Sequence, residues 1–68
     1  MRYNFTKHAK VQQISRGFTD YEVKEAILVG IKIHQHLNTV KAEKGYLSVV
    51  FKKPFKEKTV VITVMERW

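Results

Sequence analysis

The stretch "GFTDYEVKEAILVGIKIHQHL", residues 17–37, decides the fold because the period of its apolar residues changes within it. Thr19 and Glu22 have the spacing of a capping box, in which a hydroxyl and a carboxylate satisfy free amides at the start of a helix. Three apolar residues then recur at helical spacing: Val23, Ala26 and Ile27. Gly30 is typical of a helix end, and apolar and polar residues alternate from Ile31 onward. The stretch therefore predicts a helix followed directly by a strand.

A shorter helix is predicted before it, from Lys7 to about Arg16. Thr6 is placed to cap its N-terminus, and Gly17 follows its C-terminus. The residues expected on its packed stripe are His8, Val11, Ile14 and Phe18. Because only Gly17 and Phe18 separate the two predicted helices, we expect a tight helical hairpin.

Three strands are predicted after the second helix. The first is expected to turn Ile31, Ile33, Gln35 and Leu37 towards the core, with Lys32, His34 and His36 on the opposite face. The second, "YLSVVFKK" (residues 46–53), follows a predicted turn at "AEKG" (residues 42–45). The segment "KPFKEK" (residues 53–58) connects it to "TVVITVMERW" (residues 59–68), whose expected core residues are Val60, Ile62 and Val64. The predicted fold class is α+β: a helical hairpin packed on a three-stranded antiparallel sheet, as one domain over residues 1–68.

Composition narrows the function classes. Thirteen Lys and Arg against six Asp and Glu give a formal charge of +7, which attracts RNA, DNA or an acidic protein. Solubility alone is the plainer explanation of such a charge. No apolar run approaches the roughly 20 residues of a membrane span, and "MRYNFTKHAK" has no signal core, so we expect a cytoplasmic protein.

The chain has no cysteine, which excludes disulfides and thiolate metal sites, and it carries no phosphate-loop or dinucleotide motif. We therefore expect neither a cofactor nor a metal. A chain this short buries only about 60% of its unfolded surface, so a homodimer is an expected source of added stability.

His8 is the leading candidate for chemistry. A metal-independent ribonuclease needs a base, an acid and cations around the phosphate, and an imidazole can serve as the base. His34 or His36 is a candidate acid, and the candidate cations are Lys7, Lys10, Arg16 and Lys52. The alternative is that His8 packs over Val11 against the sheet without a catalytic role.

The predicted open face of the sheet is polar, aromatic and basic, which suits a phosphodiester backbone, although an ordinary solvated face looks the same. The residues expected to bind nucleic acid are Lys7, Lys10, Lys32, His34, His36, Tyr46, Lys52 and Arg67. His34 and His36 have no acidic or thiol partner on their strand, so a metal site is not expected there. At the C-terminus, Arg67 and Trp68 could stack on a base, or the tryptophan could close the core or a dimer interface.

The segment "FTKHAKVQQISRGFTDYEVKEAI" (residues 5–27) and the ending "VVITVMERW" (residues 60–68) resemble a family of short bacterial, archaeal and phage proteins, domain of unknown function 4258. The matching positions are Thr6, His8, Ala9, Arg16, Gly17, Phe18, Thr19, Glu22 and Val23. That family is similar to the RelE/ParE and BrnT toxins, many of them ribonucleases and others gyrase poisons, which pair with antitoxins. The resemblance implies a compact RelE/BrnT-like fold, an RNA target, an acidic antitoxin partner, and His8 and Arg16 as site residues. Gln12 departs from the pattern, because the family usually has an arginine there.

Overall fold

The computed structural model describes residues 2–35, 38–55 and 58–66. Its elements are β1 (Arg2–Phe5), α1 (Lys7–Ser15), α2 (Asp20–Val29), β2 (Ile31–His34), β3 (Thr39–Lys44), β4 (Leu47–Phe55) and β5 (Lys58–Glu66). They form one five-stranded sheet in the order β1-β5-β4-β3-β2. The pair β1–β5 is parallel, and the other neighbours are antiparallel.

Both helices begin at the predicted caps. The Thr6 hydroxyl accepts a hydrogen bond from the backbone N–H of Ala9 at 3.1 Å. At α2, the Thr19 hydroxyl accepts from the Glu22 N–H at 3.1 Å, and the Glu22 carboxylate accepts from the Thr19 N–H at 2.8 Å. The reciprocal capping box is thus confirmed. The predicted core residues of α2 are also confirmed as buried: Val23, Ala26 and Ile27.

The prediction of a three-stranded sheet is wrong, because the sheet has five strands. The missing strands are β1 and β3, and each is short and only half apolar. In β3, "TVKAEK", Val40 and Ala42 face the helices, while most of its other residues are charged. The predicted turn covers residues 42–45, whereas the chain reverses at Gly45 and Tyr46. Gly45 adopts the left-handed φ of 61°.

The predicted helical hairpin is also wrong. α1 lies over β5 and β1, whereas α2 lies over β3 and β4. The two helices therefore share one face of the sheet, and each buries its apolar side against different strands. Their buried residues meet the sheet in a single core with Ala42, Leu47, Val49, Phe51, Val61 and Val64.

A β-bulge reverses the expected faces of the last strand. Phe51 pairs with Val61 and Val50 with Thr63, so Ile62 is an extra residue on β5. Before this bulge, Thr59 and Val61 are fully buried, while Val60 lies on the other face, opposite Lys52. Val64, after the bulge, is buried as predicted. The prediction that Val60 and Ile62 point into the core is therefore wrong.

The faces of β2 are reversed as well. Lys32 pairs with Ala42 and His34 with Val40, both of which face the helices. Paired residues share a face, so Lys32 and His34 lie on the helix side, and Ile31 and Ile33 on the open side. Alternation alone cannot tell which face of an edge strand meets the core, since all four of these residues are exposed.

Candidate nucleic-acid interface

The outer face of α1 carries the family histidine. The helix buries Ala9 and Gln13 against the sheet, whereas His8 is exposed. Val11 and Ile14 are 58% and 70% exposed, so the predicted packed stripe through them is wrong. Ala9 and Gln13 occupy the buried side of α1 in place of that stripe.

Lys10, a predicted nucleic-acid contact, is held inside the molecule's own network. Its ammonium lies 2.6 Å from the Asp20 carboxylate and 4.4 Å from the centre of the Phe5 ring. The Gln13 amide donates to the same Asp20 oxygen at 2.6 Å. The hydrogen bonds from Lys10 and Gln13 hold the pKa of the Asp20 carboxyl below its usual value of 3.8. This cluster fastens the start of α2 to α1, and it occupies Lys10.

Gln12 points towards the sheet, where its side-chain oxygen accepts a hydrogen bond from the Val64 N–H at 3.1 Å. An arginine offers donors only and could not accept this bond. The departure from the family pattern therefore serves the packing of α1 on β5.

The predicted catalytic residues are not brought together. His8 and Arg16 are eight residues apart along one helix, a rise of about 12 Å. His34 lies on β2, three strands away from the β5 strand that α1 covers, which is roughly 14 Å across the sheet. His8 and His34 are thus too far apart to act as base and acid on one phosphate. His36, the other candidate acid, lies outside the described residues.

The remaining predicted contacts are spread over the molecule. Lys7 is exposed in the first turn of α1, and Lys32 is exposed on β2, where its ammonium donates to the Gly30 carbonyl at 2.8 Å. Lys52 is exposed on the open face of β4, and Tyr46 is 80% exposed in the β3–β4 turn. Arg67 lies outside the described residues. No single groove collects these side chains in the described part of the molecule.

Some of the cations form ion pairs with carboxylates, whereas others are exposed outside such pairs. Within the described ranges, the ion pairs are Lys10–Asp20, Lys41–Glu43 and Lys44–Glu25. Glu22 is occupied by its capping box. The exposed cations outside these pairs are Lys7, Arg16, Lys32 and Lys52. These four side chains therefore carry positive charge at the surface outside the three ion pairs.

A cleft of about 250 Å³ lies between the start of α2 and the β3–β4 turn. It is lined by Phe18, Glu22, Glu25, Lys44, Gly45, Tyr46 and Leu47. Its cation, Lys44, lies 3.4 Å from Glu25, so the one carboxylate outside this ion pair is that of Glu22, which belongs to the capping box. The lining of this cleft therefore carries no surplus cation beside Tyr46.

Among the residues that the structure describes, no group of three or more His, Asp or Glu side chains could hold a metal ion. In the same ranges, no helix has the length and apolar character needed to cross a membrane.

Sequence reasoning missed two backbone edges that matter for binding. The outer edge of β5 beyond Val61 is closed by α1, and the outer edge of β2 faces solvent. Both follow from the order of the strands, which the apolar pattern does not contain. Gln12 was the one local signal for the first edge, because a long amide inside a helix can satisfy a neighbouring backbone group.

Comparison with known proteins gives a family without an assigned activity. The family model described as "Domain of unknown function (DUF4258)" matches residues 5–66. No curated protein and no solved structure matches the chain.

Proposed function

We propose that this chain, which belongs to the DUF4258 family, is a small RNA-binding module that holds single-stranded RNA along the outer face of α1. The observation that carries the proposal is the makeup of that face. Lys7, His8, Val11 and Ile14 are exposed along its outer side, Arg16 is exposed as the residue that caps the C-terminal end of the helix, and α1 contains no acidic residue.

The middle of this face suits bases as well as phosphates. Val11 and Ile14 are exposed between the cationic ends, where their side chains can make van der Waals contact with bases. The spacing of about 12 Å between His8 and Arg16 suits contacts to separate phosphates along a strand. We propose binding at this surface without cleavage, because His34, one of the two candidate acids, lies too far from His8 for acid–base catalysis.

The test is fluorescence anisotropy of a labelled single-stranded oligoribonucleotide across a salt series. The plot of the logarithm of the binding constant against the logarithm of the salt concentration has a negative slope. Each lost phosphate contact makes this slope less steep by about 0.7 for a single strand. We expect that loss for Lys7→Ala and Arg16→Ala. Lys44→Ala is the matched control, because it removes the same charge from a lysine already paired with Glu25.

Two results would contradict this proposal. Equal weakening by Lys7→Ala and Lys44→Ala would show that only net charge matters and that α1 is not the site. Cleavage of the RNA that disappears in His8→Ala would show an enzyme in place of a binding module. A DNA strand of the same sequence, used as competitor, measures the preference for RNA.

We also propose, from the resemblance in residues 5–27, that the chain is related to the RelE/ParE and BrnT toxins. If the RNA contact is toxic, induced expression in a bacterial host slows growth, and Lys7→Ala relieves the effect. Unchanged growth would remove the toxin part and with it the reason for an antitoxin partner. RNA binding in vitro is measured separately and does not depend on that result.

A further inference from the structure

The strand β2 forms one edge of the sheet, and its outer side is open. It is the last strand in the order β1-β5-β4-β3-β2, and all four of its residues are exposed. In the described part of the chain, no segment pairs with that outer side. An open edge of this kind is a template for an added strand.

The backbone groups available at this edge can be assigned. The Gln35 N–H donates to the Thr39 carbonyl at 3.0 Å, so Gln35 is bonded towards β3. Antiparallel pairing alternates along a strand, which places Ile33 and Ile31 in the same inward phase. The N–H and C=O groups of Lys32 and His34 therefore point away from β3, towards an incoming strand.

The side chains at this edge differ between the two faces. Ile31 and Ile33, on the open face, are 66% and 42% exposed. Lys32 and His34, on the helix side, carry an ammonium group and an imidazole ring. An added strand would lay its own alternating side chains beside these two pairs.

We propose that the β2 edge binds an extended acidic segment of another protein, in which apolar and acidic residues alternate. The apolar residues of that segment pack beside Ile31 and Ile33, and its carboxylates lie beside Lys32 and His34. The backbone groups of Lys32 and His34 supply the hydrogen bonds. This site is separate from α1 and does not depend on RNA binding.

Charge selects this occupant over a second copy of the chain. Pairing two β2 strands would bring together two edges whose charged side chain is Lys32, in two molecules of formal charge +7. Like charges placed across a strand pair are destabilising. A lysine on a short edge strand is also a common protection against self-pairing. The same positive charges attract an acidic strand and repel a second copy of the chain.

The experiment measures binding of a fluorescent heptapeptide of alternating valine and glutamate by anisotropy. Its control is a peptide of the same composition with the valines and glutamates in two blocks. We expect the alternating peptide to bind at least tenfold more tightly than the block peptide, because only its period matches a strand. Equal affinity for the two peptides would overturn the proposal and indicate attraction by charge alone.

Two variants place the site on β2. His34→Pro removes an outward N–H that bonds to no described strand, and proline is tolerated at such edge positions. We expect this variant to keep its circular dichroism spectrum and to lose about tenfold in peptide affinity. Unchanged affinity in the folded variant would overturn the strand-addition proposal.

Lys32→Glu is compared with Lys7→Glu, which makes the same charge change on α1. Reversal of one exposed charge beside a partner is expected to weaken peptide binding by about fivefold. Lys7→Glu is expected to weaken RNA binding and to leave peptide affinity nearly unchanged. Equal effects of the two variants on the peptide would contradict a site at β2. A dimer in sedimentation equilibrium that His34→Pro abolishes would also overturn the proposal, because a second copy would then occupy the edge.

Discussion

The side-chain oxygen of Gln12 accepts a hydrogen bond from the backbone N–H of Val64 at 3.1 Å. This contact replaces a strand partner. β1 ends at Phe5, opposite Val61, so β5 continues beyond it along an edge that β1 does not cover. Thr6 bonds the first part of this edge, donating from its N–H to the Val61 carbonyl at 3.0 Å and from its hydroxyl to the Ile62 carbonyl at 3.3 Å. The start of α1 thus covers the backbone edge of β5 at the position of the bulge.

Removing the acceptor at Gln12 is expected to destabilise the fold. Gln12→Leu keeps a similar volume but leaves the Val64 N–H without its partner, at a cost of about 1–2 kcal/mol in the free energy of unfolding. Urea denaturation followed by circular dichroism measures this change. Gln12→Glu is the control, because a carboxylate also accepts this hydrogen bond and should retain most of the stability.

Gln12→Arg tests the same contact by introducing the arginine that the family resemblance leads us to expect at this position. Arginine has no acceptor, so we expect it to destabilise the protein as Gln12→Leu does. Full stability of both variants would show that the Val64 N–H finds another partner and that α1 does not close this edge.

The Asp20 carboxylate should make stability depend on pH in the acid range. Its pKa in the folded protein is lowered by the hydrogen bonds from Lys10 and Gln13, so the unfolded chain binds the proton more readily. The stabilisation is therefore present above the unfolded pKa, about 3.9 for an aspartate, and is lost as the pH falls through the lower folded value. Because the pair is exposed, its contribution is about 0.2–1 kcal/mol.

Asp20→Asn is the matched test of that dependence. Asparagine still accepts from Gln13 but has no charge to protonate. Urea denaturation at pH 6, 4 and 2 should show a smaller loss of stability on acidification in the variant than in the wild type. Parallel losses in the two proteins would assign the acid sensitivity to the glutamates instead.

The two helices could be predicted because the residues that cap their ends make local contacts. Thr6, Thr19, Glu22 and Gly30 act within one turn of their own positions, and no distant contact is needed to read them. The strands β1 and β3 could not be predicted in the same way. Each contains few apolar residues, so its own sequence pattern does not indicate a strand. The extended conformation depends on pairing, of β1 with β5 and of β3 with β4.

The candidate site was harder to predict than the fold. His8 and Arg16 were identified from their chemistry and from the resemblance, and both lie on the surface, but the distance between His8 and His34 depends on the order of the strands in the sheet. The pairing of Lys10 with Asp20 was equally hidden, because it joins two helices whose relative placement the sequence does not give. Local signals therefore located residues, and only the assembled sheet determined which of them can act together.

The bulge at Ile62 predicts unequal effects of two neighbouring valines. Val61 is fully buried under α1, whereas Val60 lies half-buried on the open face. We expect Val61→Ala to cost about 2 kcal/mol in the free energy of unfolding and Val60→Ala less than half of that. Urea denaturation of the two variants measures both values. The opposite order would restore the uninterrupted alternation that the sequence suggests and would argue against the bulge.

Gly30 is required where α2 passes into β2. A Cβ at this position would lie 2.4 Å from the Ala26 carbonyl oxygen and 2.7 Å from the Glu43 carbonyl oxygen, and both are backbone atoms. Gly30→Ala is therefore expected to move β2 away from β3 and to lower the free energy of unfolding by about 3 kcal/mol. Hydrogen exchange should then be faster at the amides of Ile31 and Ile33, which bond towards β3.

Gly45→Ala is the control for this prediction. Gly45 has a φ of 61°, and a Cβ added there would meet no atom within 4 Å, so its substitution strains only the local turn, at about 1–2 kcal/mol. The exchange of Ile31 and Ile33 should keep its wild-type rate in this variant, even though the protein as a whole is less stable. If Gly45→Ala releases β2 as strongly as Gly30→Ala, the loss reflects general destabilisation, and the close approach of Gly30 to Glu43 does not hold the edge strand in place.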